Sequence, residues 1–460
     1  MDCCSRSIPR LAASVALSVA ASVSAPAQLS QDSWLLAQRG AGGSFSFPPT
    51  QGSLHATTGM TGQTPSMSTA IAVFSEHDAE FWYVDSGQGP FYLGPYGLRH
   101  VTLTGSAIAG EALLENLPGR PVDLTLCGPR LWVLLTTGSM LHFDPRVPGA
   151  GVVATTWNLS QTGPAKAICT DGRELFVAFG DQSGQVANVW AYDPVAAVQR
   201  PVGLTPLVGT GRELIGIDLD RGGQLRCIDE DGYIHRVPPH GGAVTTINPA
   251  TPLPAISPLG YLPSSAAHNV WTGQTVVSGT QYGGFPTSPR PYAFLYGFED
   301  ATAAWTSLWV SSQYAHGDQV TAVAPVPFGF FGRECANGLG SGARMGFDGL
   351  PEPGGSFALT VRDAQPNGFA FAWLGFSNTH WPGVGPLPWE PAGAPGCEVL
   401  VSVDAVRMLL VDASGEAAAT WSVPNLPVFS GLELFGQWAA SAPGPALGLS
   451  SSDAVAIELR

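Results

Sequence analysis

Residues 122–157 read VDLTLCGPRLWVLLTTGSMLHFDPRVPGAGVVATTW and contain four short apolar segments separated by turn residues. The second segment holds the pair Leu131-Trp132, and the third, Leu141-His142-Phe143, runs into Asp144-Pro145. Each segment has the length and the apolar content of a short strand, and the glycines and prolines between segments favour turns. The stretch therefore predicts a four-stranded antiparallel meander.

This arrangement recurs along residues 30–327. The apolar pairs that match Leu131-Trp132 follow one another at spacings of 50, 44, 50 and 45 residues, a period typical of a β-propeller blade. A single meander cannot bury both faces, whereas blades stacked around an axis bury those faces on each other. The pairs are Phe81-Trp82, Leu131-Trp132, Leu175-Phe176, Leu225-Arg226 and Val270-Trp271.

A proline-terminated apolar segment follows most of these pairs, and we predict that it is the third strand of its blade. After Phe81-Trp82 this segment is residues 91–95, and residues 101–103 are then expected to be the fourth strand. After Leu225 the corresponding segments are residues 233–238 and 243–247.

The two ends of the repeat region complete each other. Residues 320–324 resemble an innermost strand with no blade after it, and residues 34–36 resemble a second strand. We expect residues 45–48 and 54–57 to add the third and fourth strands of the same blade, which would close the ring and remove two sheet edges. The count is then six blades. Five or seven blades, or a two-sheet β-sandwich, are the alternatives.

Residues 329–460 leave the repeat. They contain seven or eight alternating segments separated by Gly, Pro and Asn, which predicts a compact β-sandwich. The segments expected to be strands are Ser356–Val361, Phe369–Phe376, Cys397–Val403, Arg407–Asp412, Ala417–Val423, Leu432–Trp438 and Ala454–Leu459.

Several short motifs occur together in this module. They are Gly332-x-x-Cys335, Leu374-Gly375-Phe376-Ser377, Pro395-Gly396-Cys397, Val423-Pro424-Asn425, Phe435-Gly436-Gln437-Trp438 and Leu447–Ser452. Taken together they resemble a C-terminal domain that recurs in secreted proteins of planctomycete-like bacteria, although Ala336-Asn337 stands where a Cys-Pro-Gly-like turn is common. The resemblance implies secretion and a modular build, and no reaction. It also implies that Cys335 and Cys397 form a disulfide, and it leaves the pairing of the other cysteines open.

Composition narrows the class of protein. Glycine and proline account for 57 and 40 of the 460 residues, only 12% of residues are charged, and the net charge is −15. So many helix breakers leave little room for long helices. The acidic charge opposes binding to nucleic acid and to anionic membranes. The composition therefore favours an all-β, turn-rich protein.

Residues 1–27 have the pattern of a secretory signal peptide. Arg6 and Arg10 precede an apolar stretch over residues 11–23, and Ala25-Pro26-Ala27 supplies a cleavage site of small residues. We therefore expect an exported protein of the extracellular space, periplasm or cell envelope. Its propeller would span residues 28–328 and its sandwich residues 329–460.

Acidic residues are densest around residues 218–232, where Asp218 and Asp220 are candidates for a Ca²⁺ site. A full calcium loop would place another carboxylate where Gly222 stands. Solvated turn carboxylates are therefore the favoured interpretation, and no cofactor is expected.

The tryptophans suggest two roles. Trp82, Trp132 and Trp271 share one repeated position, which predicts packing between blades. Trp381 and Trp389 lie outside the predicted strands, in a loop rich in Pro and Gly. They are candidates for ligand contact, because an exposed ring can stack on a sugar.

The sequence contains no recognisable catalytic or metal-binding motif: we find no nucleophile–base pair, metal motif or phosphate loop at the usual spacing. The favoured hypothesis is an exported binding or scaffold protein whose partner is an extracellular or periplasmic protein, glycan or surface. The alternative is a secreted hydrolase or lyase with its site at one end of the propeller channel, where residues from different blades converge. A structural component of the envelope is a third hypothesis.

Overall fold

The computed structural model describes residues 34–39, 52–56, 61–64, 68–75, 80–85, 96–104, 107–114, 116–127, 130–144, 152–155, 163–180, 186–194, 197–206, 214–220, 223–239, 242–251, 253, 261–270, 272–283, 290–310, 316–322, 328–332, 334–335 and 342–459. The regular elements of these residues are β-strands and one 3-10 helix, Pro427–Phe429. The predicted signal peptide lies outside the described residues.

Six antiparallel four-stranded sheets form the first part of the chain, and in five of them the four strands are consecutive in the chain and pair in that order. We number strands in chain order and blades by their first strand. Blade 1 contains β4 (Ser68–Ser75), β5 (Glu80–Asp85), β6 (Gly97–Thr104) and β7 (Ala107–Leu114); blade 2 contains β8 (Pro121–Cys127), β9 (Arg130–Leu135), β10 (Met140–Phe143) and β11 (Val153–Thr155); blade 3 contains β12 (Ala165–Thr170), β13 (Leu175–Phe179), β14 (Val186–Asp193) and β15 (Val198–Pro206).

The remaining three blades follow the same plan. Blade 6 combines one strand from the end of the region with three from its beginning. Blade 4 contains β16 (Leu214–Leu219), β17 (Leu225–Asp229), β18 (Ile234–Val237) and β19 (Thr245–Ile247); blade 5 contains β20 (Tyr261–Asn269), β21 (Gln274–Gly283), β22 (Arg290–Glu299) and β23 (Ala304–Val310); blade 6 contains β24 (His316–Ala322), β1 (Trp34–Arg39), β2 (Gly52–Ala56) and β3 (Thr61–Thr64).

The first strands of the blades form a closed ring. Each of β4, β8, β12, β16, β20 and β24 contacts the next, and β24 contacts β4. In the pairing that joins the two ends of the region, Trp34 lies opposite Ala322 and Arg39 opposite His316. The fold is therefore a six-bladed propeller, which confirms the predicted blade count.

Apolar second strands bury the faces between blades. All five residues of β13 and all five of β17 are buried. Trp82 and Trp132 occupy equivalent places on β5 and β9 and are 2% and 1% exposed. The ring of Trp132 lies 5.9 Å from that of Tyr192 on blade 3, in an edge-to-face contact. Tryptophan at this position thus packs one blade against the next.

The strand predictions were wrong at three blades. In blade 1, residues 101–103 belong to the third strand β6 and not to the fourth, and residues 91–95 lie outside the described residues. In blade 6, residues 54–56 lie in the third strand β2; residues 45–48 also lie outside the described residues. In both blades the chain between the second and third strands is longer than in blades 2 and 4, so a fixed offset selected the wrong segment.

Blade 5 breaks the repeat at Val270-Trp271, which was predicted to lie on the second strand. Val270 belongs to the turn between β20 and β21, and the second strand begins at Gln274. Trp271 lies outside the described residues. The apolar character of Val270 has another cause, since it joins the core of the C-terminal module.

The second part of the chain is a β-sandwich of a five-stranded and a three-stranded antiparallel sheet. Strand order in the larger sheet is β25-β34-β33-β28-β31 and in the smaller β26-β27-β32, and a short hairpin β29-β30 projects from the loop after β28. The strands are β25 (Phe328–Phe331), β26 (Arg344–Asp348), β27 (Ser356–Arg362), β28 (Phe369–Gly375), β29 (His380–Trp381), β30 (Gly385–Pro386), β31 (Ala405–Leu410), β32 (Ala417–Ser422), β33 (Glu433–Ser441) and β34 (Leu449–Glu458).

The two sheets enclose one apolar core that includes Phe357, Leu359 and Trp438, each no more than 2% exposed. Residues 397–403 were predicted to be a strand and are not. This segment lies over the outer face of the larger sheet, where Leu400 and Val401 pack against Phe435. Its alternation of apolar residues reflects contact with that face and not membership of a sheet.

The propeller contacts the sandwich through turns that follow innermost strands. Gly172, in blade 3, has φ of 92°, and a Cβ there would overlap the carbonyl oxygen of Phe328 at the start of the sandwich. Glycine is therefore required at this position by both conformation and space. Val270 in blade 5 packs into the sandwich core, and Gly223 in blade 4 approaches the carbonyl of Phe347.

A buried charge network centred on Arg173 crosses the same junction. Its Nη1 lies 2.8 Å from Oδ2 of Asp453, and its Nη2 lies 3.5 Å from Glu334 and 3.8 Å from Asp193. Asp453 also accepts the amide N–H of Met345. Burial raises the pKa of Asp453 to about 6, against the lowering effect of the Arg173 charge.

Candidate functional site

The candidate site is the aromatic loop, which we define as residues 376–402, between β28 and β31. Its start is fixed by side chains from its end. The hydroxyl of Ser402 accepts the amide N–H groups of Phe376 and Ser377, each at 3.1 Å. Asp404 accepts the same Phe376 amide at 2.9 Å and the Ser402 hydroxyl at 2.7 Å. The loop therefore leaves and rejoins the sheet at one place.

The tip of the loop is the hairpin β29-β30, closed by Trp381-Pro382-Gly383-Val384. The amide of Val384 donates to the carbonyl of Trp381 at 3.0 Å, and Gly383 has φ of 83°. Proline followed by glycine at the two central positions is the pattern of a type II turn. Trp381 is thus held at the start of a well-defined turn.

Trp389 is held by backbone pairing and by a nearby covalent bond. Its amide donates to the carbonyl of Val399 at 2.9 Å and its carbonyl accepts the Val399 amide at 2.8 Å. Two residues before Val399, Cys397 is joined to Cys335, with 4.9 Å between their Cα atoms. These are the two cysteines that the family resemblance pairs. The amide N–H of Gly396 donates to Glu390 at 3.0 Å.

The structure brings the two candidate tryptophans together. The ring centroids of Trp381 and Trp389 are 6.2 Å apart and their planes are inclined by 75°, an edge-to-face contact. Trp389 is 42% exposed, while Trp381 is half-buried. Phe376 and Val384, on the same loop, are 64% and 48% exposed. The loop thus presents several apolar side chains to solvent on a fixed backbone.

The charged residues of the loop and of the chain segments next to it have one sign. Residues 363–406 contain no lysine or arginine, and their charged groups are Asp363, Glu390, Glu398 and Asp404. A surface of this kind does not attract phosphate or sulfate groups.

The innermost strands of the propeller carry two carboxylates, Asp123 and Asp218, and the sequence pattern had indicated a turn position for Asp218 alone. Asp123 on β8 accepts the amide N–H of Ile168 on β12 at 3.0 Å. Asp218 on β16 accepts the amide N–H of His268 on β20 at 2.7 Å. Each carboxylate therefore links an innermost strand to the next blade. Residues 218 and 123 alternate with apolar neighbours, which is the signal that could have placed them on a buried strand.

Burial raises the pKa of Asp123 to about 7 and that of Asp218 to about 8. The hydrogen bonds that they accept act in the opposite direction, and the charge of Asp123 raises the pKa of Asp218 further. Carboxyl groups whose pKa values are raised in this way are candidates for acid–base chemistry. Here, both carboxylates accept backbone N–H groups, so their positions are explained by contacts between blades.

The Ca²⁺ candidates have separate partners. Asp218 contacts blade 5, whereas Asp220 accepts the amide N–H of Gln224 at 2.9 Å and lies 3.8 Å from Arg236. In the part of the chain that the structure describes, no three His, Cys, Asp or Glu side chains are grouped as a metal site requires. The prediction that both carboxylates are solvated turn residues is wrong for Asp218, which lies on β16.

Two buried histidines of the propeller have structural partners. His235 contacts Thr246 at 3.0 Å and Asp229 at 3.3 Å, and Asp229 also accepts two amide N–H groups of its own turn. His142 packs on Trp132 with 4.1 Å between ring centroids. These contacts of His235 and His142 stabilise blades.

Neither a protein-family model nor a curated protein sequence matches this chain. Solved structures show a distant likeness. A nidogen/laminin complex gives a TM-score of 0.40 at 11% identity over 63% of this chain and 97% of that chain. TolB from Acinetobacter baumannii gives a TM-score of 0.42 at 14% identity, and the match covers 63% of this chain and 66% of that chain. BamB from Moraxella catarrhalis gives a TM-score of 0.30 at 13% identity, and the match covers 92% of this chain and 90% of that chain. At these values we draw no functional conclusion from the likeness.

Proposed function

We propose that this protein is exported and binds a partner outside the cytoplasm through the aromatic loop of its C-terminal module. The observation that carries the proposal is Trp389, a large aromatic side chain that is 42% exposed on a loop held by hydrogen bonds and a disulfide. Tryptophan is the residue type that most often dominates a binding surface, because it offers a large contact area with few rotatable bonds.

Export is supported by the disulfide, since such bonds persist in oxidising compartments. The signal-peptide pattern of residues 1–27 and the resemblance of residues 329–460 to a secreted domain support it further. Within the described residues, no helix has both the length and the apolar character needed to cross a bilayer.

The propeller serves as the scaffold in this proposal. Its ring is closed by strands from both ends of the region, and its turns hold the sandwich through Gly172, Arg173 and Val270. A rigid support of this kind limits the entropy lost when the loop binds its partner.

The proposal is tested by retention of the purified full-length protein on cell-surface preparations from the producing cells. The wild type and a Leu410→Ala control are expected to be retained equally, because Leu410 is 79% exposed on β31 of the same module. Trp389→Ala is expected to lose retention while keeping the wild-type circular dichroism spectrum. Equal retention of all three proteins would refute a binding role for the loop.

A further inference from the structure

We propose that the aromatic loop recognises an uncharged hexose unit of a glycan, with Trp389 as the stacking residue and Trp381 as its positioning residue. This inference rests on the proposed function and specifies the class of partner. It follows from the arrangement of the two rings, the fixed backbone and the charge of the surrounding chain.

The arrangement of the rings suits one sugar at a time. Two coplanar tryptophans would form a flat surface for several units of an extended polysaccharide. Trp381 and Trp389 are instead inclined by 75°, so the edge of one ring packs against the face of the other. The more exposed ring, Trp389, offers the stacking face, and the contact with Trp381 fixes its orientation. A pyranose has an apolar face of C–H groups of about the size of one such ring.

The backbone that carries Trp389 is ordered before any ligand arrives. Both polar backbone atoms of Trp389 are paired with Val399, and Cys397 ties this segment to Cys335. Ser377 accepts the amide N–H groups of Thr379 and His380, at 3.2 and 3.1 Å. Because little freedom remains to be lost, a small ligand with few contacts can bind.

Exposed polar groups adjoin the two rings in the chain. His380 precedes Trp381, and Glu390 follows Trp389; both are exposed. A carboxylate accepts and an imidazole donates or accepts hydrogen bonds, which suits sugar hydroxyl groups. The stacking face and these groups together match a ligand with one apolar face and a polar rim.

The charge selects an uncharged glycan among possible partners. Residues 363–406 contain carboxylates and no lysine or arginine, so the loop itself offers no cation to uronic acids, sulfated sugars or anionic lipid headgroups. A protein partner would bury about 800 Å² on each side, whereas the pair formed by Trp381 and Trp389 has the dimensions of one sugar ring.

The first experiment compares retention on cell-surface preparations treated with periodate, which cleaves the vicinal diols of sugars, or with protease. Full-length wild type is expected to lose retention after periodate and to keep it after protease. If protease abolishes retention that periodate leaves intact, and retention still depends on Trp389, the glycan inference is overturned while the proposed function stands. If retention never depends on Trp389, both are overturned.

The second experiment uses defined probes: an array of neutral and anionic oligosaccharides, and vesicles of phosphatidylglycerol. Binding is expected to neutral oligosaccharides, with at least about tenfold weaker affinity for Trp389→Ala. Trp389→Phe keeps a stacking ring and should bind within a few-fold of the wild type. Trp381→Ala should weaken binding, and Trp381→Phe, which keeps an aromatic ring against Trp389, should restore it, as expected of a positioning residue. Binding only to vesicles or to anionic probes contradicts the inference.

Discussion

Removing the guanidinium of Arg173 should weaken the contact between the propeller and the sandwich and lower the free energy of unfolding. Arg173 is 11% exposed as a side chain, and its nearest partner, Asp453, is 5% exposed. In Arg173→Met, Asp453 would stay buried with backbone N–H groups of its own module, including that of Met345, and without the cation from the propeller. Breaking a buried ion pair in this way costs about 3–5 kcal/mol. We expect a loss of stability of that order for the variant.

The assay is urea-induced unfolding of the full-length protein, followed both by tryptophan fluorescence and by hydrogen exchange of the Met345 amide. Arg362→Met is the matched control, because Arg362 lies 3.6 Å from Glu416 and both side chains are exposed, at 42% and 53%. Such a surface pair contributes at most about 1 kcal/mol. Asp453→Asn in the Arg173→Met background should recover part of the loss, because it removes the unpaired charge.

The pH dependence provides a second criterion. Asp453 already has a pKa raised by burial to about 6, and loss of the Arg173 charge should raise it further. The carboxyl group then takes up a proton more readily, so the defect of Arg173→Met should be smaller at pH 5 than at pH 8. A loss no larger than that of Arg362→Met, independent of pH, would show that apolar contacts such as Val270 hold the junction alone.

Four further predictions concern the channel, the disulfide, the ring and export. The folded-state pKa values of Asp123 and Asp218, about 7 and 8, lie above the ordinary value of 3.8, so their contribution to stability is fully present below about pH 4 and is lost as pH rises through 7 and 8. Asp218→Asn, which can still accept the His268 amide, should flatten the pH profile of the urea midpoint; an unchanged profile contradicts this assignment. Cys335→Ser/Cys397→Ser opens a loop with a sequence separation of 62 and should destabilise the module by about 4 kcal/mol, measured as a shift of the urea midpoint against wild type with its disulfide intact; no shift would refute the prediction. Deleting residues 28–64 removes β1, β2 and β3 and should expose β24 to proteolysis, whereas an unaltered digestion pattern would mean that these strands do not close the ring. N-terminal sequencing of the exported protein should give Gln28 as the first residue; a chain that still begins at Met1 refutes the cleavage prediction.

Much of the fold was predictable from local sequence because every blade must bury the same two faces and therefore shows the same pattern of apolar strands. A meander that must bury two faces needs apolar second strands, and the pairs around Trp82 and Trp132 marked them. The third strands of blades 1 and 6 were not predictable from a fixed offset, because the length of the preceding connection differs. The prediction that Val270 lies on the second strand of blade 5 was wrong, because this residue is apolar for contact with the sandwich and not for packing between blades.

The sites depend more on contacts between distant parts of the chain. The exposure of Trp381 and Trp389 could be inferred from their Pro/Gly-rich surroundings, but their mutual distance depends on the turn at Gly383 and on the pairing of Trp389 with Val399. The Arg173 network was missed because its main partner is 280 residues away. A lone charged residue in a turn gives no local sign that it is buried.

The central claim is that the partner binds at the aromatic loop and not in the propeller channel. The most direct measurement compares retention of wild type, Trp389→Ala and Asp218→Asn on the same untreated cell-surface preparation. Asp218 lies on an innermost strand, and its asparagine variant keeps the acceptor for the His268 amide. We expect Asp218→Asn to be retained like the wild type and Trp389→Ala to be lost; retention of Trp389→Ala together with loss of Asp218→Asn would contradict the account.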